Sequence, residues 1–572
     1  MKKKTMTNTQ YFLIGGILGA LFFLAIYGGY VLDVTNENWL LTGKDLTQHY
    51  IGWKYYRNSS WHFPIGLVEG LSYPYLTSVV YTDSIPLFAV PFKILSPLLP
   101  ETFQYFGLFG LMCYILNGGF GALIVRKFSK NPFVIGCGSV FFIVTTPILQ
   151  RLYGYLDITG DTRHTSLAAH FLLYAALLIW LNKDYFSSIK KAAIAWAVLG
   201  CLAIMIQSYF LPMILGIMCG CLLEDILTTK KWKKTVVSFA SFGIASLGTM
   251  WILGAFYGNP SGGAGGFGIY SSNLNSLYNP YGYSAFLKDF PICEGNQEGM
   301  AYLGAGMLLM LLMGAAGFLY QTWKKKKSLK TLWKNRWKQI VSYGCVLLGA
   351  AVLALTNQVK FNGEQLVDIK LPDKILSFFS LVRSSGRFMW IVMYLIMILA
   401  ICCIIKYYNA KVAIGIITLC MLLQVADFQV VYKNLGRSYN TKIEQTEVYL
   451  VSDVWENLVE EHEHVFVDLG MDQKMLFEIA NFATDNKKTI DYFYFSRNYA
   501  QYLRAKIAKT HSVMEGKDLS PQTLYILSQK QADSLKDRKN ESVGETSGIN
   551  IYCLDGLYIG TSKEYSQLEQ YQ

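Results

Sequence analysis

The chain is short of charge. Only 16% of its 572 residues are Asp, Glu, Lys or Arg, against about 25% in an ordinary soluble domain, which excludes a fully aqueous surface for much of the molecule. Metal-ligand spacing is missing too. The 11 cysteines form no CxxC pair, and all but Cys293 and Cys553 lie within apolar runs, so neither a disulfide framework nor a zinc site is indicated. There is no phosphate loop, no H-E-x-x-H helix and no nucleophile elbow. The string GAGGFG (Gly263–Gly268) matches G-x-G-x-x-G, but no strand precedes it and it sits in a glycine-rich loop, so it carries no dinucleotide signal.

What is present is apolar and continuous. Hydrophobic residues make up 52% of the chain. The run YFLIGGILGALFFLAIYGGYVL (Tyr11–Leu32) is uncharged over about 22 residues, enough for a hydrocarbon core of about 30 Å. It is too long for a cleaved signal peptide, and no small-x-small cleavage site follows it. The pattern predicts about eleven spans: 11–32, 102–125, 132–149, 165–181, 192–206, 209–227, 235–256, 300–320, 339–355, 388–405 and 412–430.

The net charge of +12 sits in short clusters between these runs: KKK at the start, RKFSK, KKWKK and KKKKSLKTLWKNRWK. That is the distribution of cytoplasmic loops under the positive-inside rule, and it argues against a nucleic-acid partner. The stretch SIPLFAVPFKIL (Ser84–Leu95) is short and holds two prolines. Reading it as an interfacial helix rather than a span keeps every basic cluster on the cytoplasmic side. The protein expected is a polytopic α-helical membrane protein of the plasma (inner) membrane, with its N-terminus cytoplasmic. Residues 1–430 form the transmembrane domain, with a first external loop at 33–101. Residues 431–572 form an extracytoplasmic α/β domain: HVFVDLG and KTIDYFYF read as strands around the helix MLFEIANFATDN, and TLYILS, a charged helix from Gln529 and INIYCLDGLYIG continue the alternation.

The residues able to carry chemistry cluster outside. Asp45 opens DLTQHYIGW, with Gln48 and His49 beside it, and Asp83 lies in YTDS at the end of the same loop. At headgroup depth the proton affinity of such an acid is tunable; equally, both aspartates could be helix caps. Arg163 and His164 stand at the mouth of a span, and His170 lies within it, where hydrogen bonding to a neighbouring helix is the simpler role. In LVRSSGRFMW, Arg383 and Arg387 frame a small-residue turn at the start of a helix, a site suited to phosphate or to lipid headgroups. Gln297 and Glu298 in GNQEGMAYLG could bind sugar hydroxyls or cap a helix. The aromatics Tyr50, Trp53, Tyr55, Tyr56 and Trp61 read as an interfacial belt or as stacking surfaces for sugar rings.

Together these features resemble the GT-C class of membrane glycosyltransferases: polytopic, with a long first external loop bearing interfacial helices and a catalytic acid. The strings DLTQHYIGW, YTDSIPL, FQYFGL, RHTSLAAHFLL, GFGIYSSNL, QEGMAYLG and RSSGRFMW are similar to a bacterial family of GT-C-like integral membrane proteins without an assigned activity. The resemblance covers about residues 40–430 and, more loosely, the tail. It implies a polyprenyl-phosphate sugar donor, a cell-envelope glycan or protein acceptor, and Asp45 as general base. Arg383 and Arg387, with Arg163 and His164, would then steady the leaving phosphate. No paired D-x-D or E-x-D stands in the first loop, so a divalent metal ion is an open element of that expectation. Two other readings stand beside it: a lipid-linked sugar flippase, and a non-catalytic relative that binds surface polymer.

Overall fold

A computed structural model describes residues 6–154, 163–260, 266–324, 329–442, 448–497, 499–541 and 549–571. Gly263–Gly265 of the glycine-rich string and Lys325–Ser328 of the longest basic cluster lie outside the described residues. The chain divides into two compact units: residues 1–36, 104–248 and 262–442, and residues 37–103, 249–261 and 443–572.

The first unit is helical. Among the described residues nine helices are long and apolar enough to cross a membrane: Asn8–Tyr27, Phe106–Arg126, Ile189–Ile206, Phe210–Thr229, Trp232–Ile252, Ala305–Lys324, Trp333–Leu355, Ser385–Tyr407 and Ala410–Asp427. Two of the eleven predicted spans are shorter than expected. Residues 132–149 break into Pro132–Ile143 and Thr146–Arg151, because Pro147 has no N–H to donate to the Ile143 carbonyl and its ring would clash there, so Val144 and Thr145 leave helical geometry and Pro147 sits in the first turn of the next helix. Residues 165–181 become a short 3-10 turn, Thr165–Ala168, and the helix Phe171–Leu181. Packing is close where side chains are absent. A Cβ on Gly15 would lie 2.1 Å from the carbonyl oxygen of Gly118, so Asn8–Tyr27 and Phe106–Arg126 meet backbone to backbone, as helices in lipid do.

The second unit gathers the first loop with the tail. A six-stranded sheet runs in the order Glu569–Gln570, Asn550–Leu554, Leu557–Thr561, Thr523–Leu527, His464–Val467, Thr489–Ile490. The strand His464–Val467 pairs in parallel with both of its neighbours, and the remaining pairs are antiparallel. Helices Gln473–Asp485 and Ala500–Met514 provide the crossovers, so the expected α/β alternation is present. Of KTIDYFYF only Thr489–Ile490 pairs as strand; Asp491 then turns away to accept from the Val467 N–H at 3.0 Å and from Lys506 at 2.7 Å.

The loop joins this sheet through its hairpin, Leu67–Ser72 with Tyr75–Ser78. The Tyr73 N–H donates to the Ile490 carbonyl at 3.0 Å, and the Tyr499 hydroxyl accepts from the Ser78 N–H at 3.1 Å. Tyr73 also stacks on His464 at 3.9 Å. These bonds explain why residues 37–103 group with the tail, whereas the sequence placed them with the spans. The short helix Pro86–Ile94 forms where an interfacial helix was predicted. The aromatic reading is corrected: Tyr50, Trp53, Tyr55 and Tyr56 are buried in the unit, and Trp61 alone of the five is exposed.

Candidate functional site

In the loop-and-tail unit, helix Lys44–Asn58 begins after Gly43, whose N–H donates to Thr47 Oγ1 at 2.7 Å; Thr47 in turn donates to the Leu40 carbonyl at 2.7 Å. Asp45 occupies the first turn, where the helix dipole favours negative charge. His49 follows one turn later on the same face. The cap reading of the two aspartates is corrected, since the N-cap positions belong to Gly43 and Ile85.

Asp83 reaches this helix through a strained turn. Asp83 and Ile85 both have positive φ, 55° and 52°, which is costly for a β-branched isoleucine and marks a segment held by its surroundings. The holding bonds run from the Ser84 hydroxyl to the His49 carbonyl at 2.8 Å and between Ser84 and Thr82 hydroxyls at 2.9 Å. Gly52 makes the approach possible, because a Cβ there would sit 2.5 Å from the Thr82 Cβ. His49 and Asp83 are both buried, and their ligand atoms come within 4.8 Å of each other. An imidazole and a carboxylate at that separation fit a divalent cation held between them. Gln48 is buried beside them, and its Nε2 has no hydrogen-bond partner among the described residues.

In the helical unit the site is built on Glu298, in the 3-10 turn Asn296–Gly299. Arg151 grips it with Nη2 on Oε2 at 2.9 Å and Nη1 on Oε1 at 3.2 Å. Arg387 adds Nε and Nη2 on Oε2, at 3.0 and 2.8 Å. Arg387 also lies over the Tyr209 ring at 4.6 Å. Burial pushes the Glu298 carboxyl up, but the two guanidinium groups overcome it and hold the pKa at about 2. Arg383 stands nearby in sequence, 6.0 Å from the Tyr270 ring, with no ion pair among the described residues. The Gly386 N–H of its turn donates to the Tyr270 carbonyl at 3.0 Å, which fixes that turn on the Asn-rich loop.

Around this cluster, the Gln150 amide donates to the Gln297 carbonyl at 3.1 Å. Its Oε1 and the Ser385 hydroxyl are buried with no hydrogen-bond partner among the described residues. The His164 N–H donates to the Arg151 carbonyl at 2.8 Å, so Arg163 and His164 run alongside Arg151, and Arg163 is buried. His164 Nδ1 lies 3.1 Å from the Ser166 hydroxyl, which accepts from Gln207 at 3.2 Å. His170 meets the Tyr394 hydroxyl at 2.5 Å and packs on Trp390, the helix-to-helix role its position suggested.

The structure thus brings together Glu298 and Arg387, which the sequence offered as separate elements, and groups Asp45, Gln48, His49 and Asp83 in the other unit. Arg151 was missed. Its signal was a single arginine closing the apolar run 132–149, unremarkable at a membrane edge.

A family model described as domain of unknown function (DUF6311) matches residues 16–429, and the model of the DUF6311 C-terminal domain matches residues 454–562. No curated protein matches the chain in sequence.

Proposed function

The chain belongs to the DUF6311 family, and from that premise we propose that it is a membrane glycosyltransferase of GT-C type. It moves a sugar from a polyprenyl-phosphate donor to a cell-envelope acceptor on the outer face of the membrane. The observation that carries this reading is the convergence of His49 and Asp83 on the helix that Asp45 opens. Three groups able to take or hold a proton come from one loop, and two are buried. A structural loop has no need of that expense in desolvation.

In this reaction the Asp45 carboxylate takes the proton from an acceptor hydroxyl. The hydroxyl oxygen forms its bond to the anomeric carbon as the carbon–oxygen bond to phosphate breaks, and the electron pair leaves with polyprenyl phosphate. The anomeric centre inverts. His49 and Asp83 orient the loop; they are the residues that would hold a divalent cation, which would supply further charge stabilisation there. Arg383, with no ion pair among the described residues of the helical unit, is the guanidinium we assign to the donor's phosphate. Arg387 and Arg151 are committed to Glu298, and their role is to hold that carboxylate within the helical unit. The donor arrives activated, so no nucleotide machinery is required.

The flippase reading calls for pathway charges deep in the spans. The buried carboxylates of the long helices stand near helix ends instead: Glu224 and Asp225 in Phe210–Thr229, paired with Lys183 and Lys234, and Asp427 closing Ala410–Asp427.

The test is the cell-envelope glycan profile of a deletion strain complemented with wild type or with Asp45→Asn. Loss of a glycan on deletion, restored by wild type and not by the variant, supports the assignment. A profile unchanged by deletion overturns it.

A further inference from the structure

The loop-and-tail unit contains a second feature, one that the transfer reaction does not use. A cavity of about 610 Å3 opens between helix Lys44–Asn58, the segment 99–103 and the end of helix Gln473–Asp485. A neighbouring cavity of about 480 Å3 shares Glu37 and Asp485 with it and continues along the same tail helix to Lys474. Both volumes fall within the range of small-ligand sites, about 300–1,000 Å3.

The chemistry of the larger cavity is balanced. Its charged lining is Glu37, Glu101 and Asp485 against Lys54, Arg57 and Lys487. Two of the cations are already held. Lys54 bridges Glu37 and Asp485 and donates to Asn481 Oδ1 at 2.8 Å. Arg57 donates to the carbonyls of Glu101 and Pro100 at 2.6 and 2.8 Å. An anion entering here would meet exposed carboxylates with most of the positive charge committed. A bare cation would meet the Lys54 ammonium between its two best ligands. The cavity walls are helices and a loop, so they present no sheet edge on which an extended peptide could pair.

Asn58 already donates to Thr484 and Asp485 is held by Lys54, so what the rim still offers is the Asn58 amide oxygen, the Glu101 carboxylate and the Lys487 ammonium, acceptors and a donor together. A sugar hydroxyl both donates and accepts, so a neutral polyhydroxyl chain matches this rim where a singly charged ligand does not. The smaller cavity adds apolar wall from Leu41, Phe477 and Phe482, suited to the C–H faces of a pyranose ring. We infer that this pair of cavities is a binding site for a neutral oligosaccharide, holding more than one sugar ring across the shared residues Glu37 and Asp485. The inference goes beyond the proposed transfer reaction and does not need it, because a chain with no transferase activity would still bind.

The test uses full-length protein in detergent on a printed array of neutral oligosaccharides (glucans, galactans and rhamnans) and anionic ones (uronans and sugar phosphates). Expected is retention on neutral members, reduced at least tenfold by Thr102→Trp, which fills the cavity from its wall, and by Glu101→Gln, an exposed rim change that leaves the fold intact by melting temperature. Retention on anionic members alone, no retention on neutral ones, or neutral retention equal in wild type and the folded Glu101→Gln and Thr102→Trp proteins would overturn it. Should Thr102→Trp fail to fold, Glu101→Gln decides. Binding is read without turnover, so inactivity of the transferase would leave this result untouched.

Discussion

Arg387 places both Nε and Nη2 on a single oxygen of Glu298, at 3.0 and 2.8 Å, while Arg151 donates to that oxygen and to the second one of the same carboxylate, at 2.9 and 3.2 Å. One acid fastens two elements far apart in sequence, residues 146–151 and 385–388, onto the turn 296–299.

That arrangement makes stability sensitive to acid. The folded pKa of Glu298, about 2, lies below the unfolded carboxylate value of about 4.3. Its contribution is therefore complete above about pH 4.3 and drains away as pH falls toward 2. Wild type should lose stability across that window in a detergent melting series, and Glu298→Gln should show a flatter profile there. The variant should also be less stable at neutral pH by about 3–5 kcal/mol, the cost of leaving two buried guanidinium groups without their acid. Identical acid profiles would contradict the role assigned to Glu298.

Arg383 and Arg387 should separate in function. Arg383 has no ion pair among the described residues, so Arg383→Ala should leave the melting temperature unchanged and weaken donor binding. The loss of one charge-assisted bond, about 1.5–3 kcal/mol, corresponds to a tenfold or greater loss of affinity. Arg387→Ala should lower stability first. Equilibrium binding of radiolabelled polyprenyl-phosphate sugar checks both; an unchanged affinity in Arg383→Ala removes the phosphate contact.

Gly52 is the point of close contact between helix Lys44–Asn58 and the turn that carries Asp83. A methyl group there would collide with Thr82, so Gly52→Ala should push the turn 82–85 off the helix. The expected cost is about 1–3 kcal/mol, together with loss of glycan complementation. A fully active Gly52→Ala protein would show that the His49–Asp83 approach has no role in the reaction.

The sequence carried the class of the fold further than its detail. Uncharged runs such as Tyr11–Leu32 announced themselves, since lipid demands length and apolarity and nothing subtler. Residues 132–149 read as one span because hydropathy is blind to the break Pro147 imposes on the residues before it. Within the candidate sites, Asp45, Glu298 and Arg387 were legible as polar residues beside apolar ones. Their pairing was not, because the Glu298–Arg387 contact spans 89 residues of chain and follows from helix packing. Arg151 left only the trace of one arginine closing an apolar run, which any membrane edge shows. The burial of Tyr50, Trp53, Tyr55 and Tyr56 was hidden for a related reason: the tail that helps cover their helix lies some four hundred residues away, with Asn58 donating to the Thr484 carbonyl.

The sidedness of the tail can be read directly. Cys553 is exposed in the sheet unit, and an extracytoplasmic tail predicts its labelling by a membrane-impermeant maleimide in intact cells, with the signal lost in Cys553→Ser. Labelling that requires permeabilised cells would place the tail inside and remove the proposed outer-face reaction.

The most direct measurement is sugar transfer in proteoliposomes loaded with radiolabelled polyprenyl-phosphate sugar and envelope acceptor, comparing wild type with Asp45→Asn. The account predicts transfer by wild type and none by the variant, with donor binding and melting temperature equal in the two. Transfer by Asp45→Asn at the wild-type rate would contradict it.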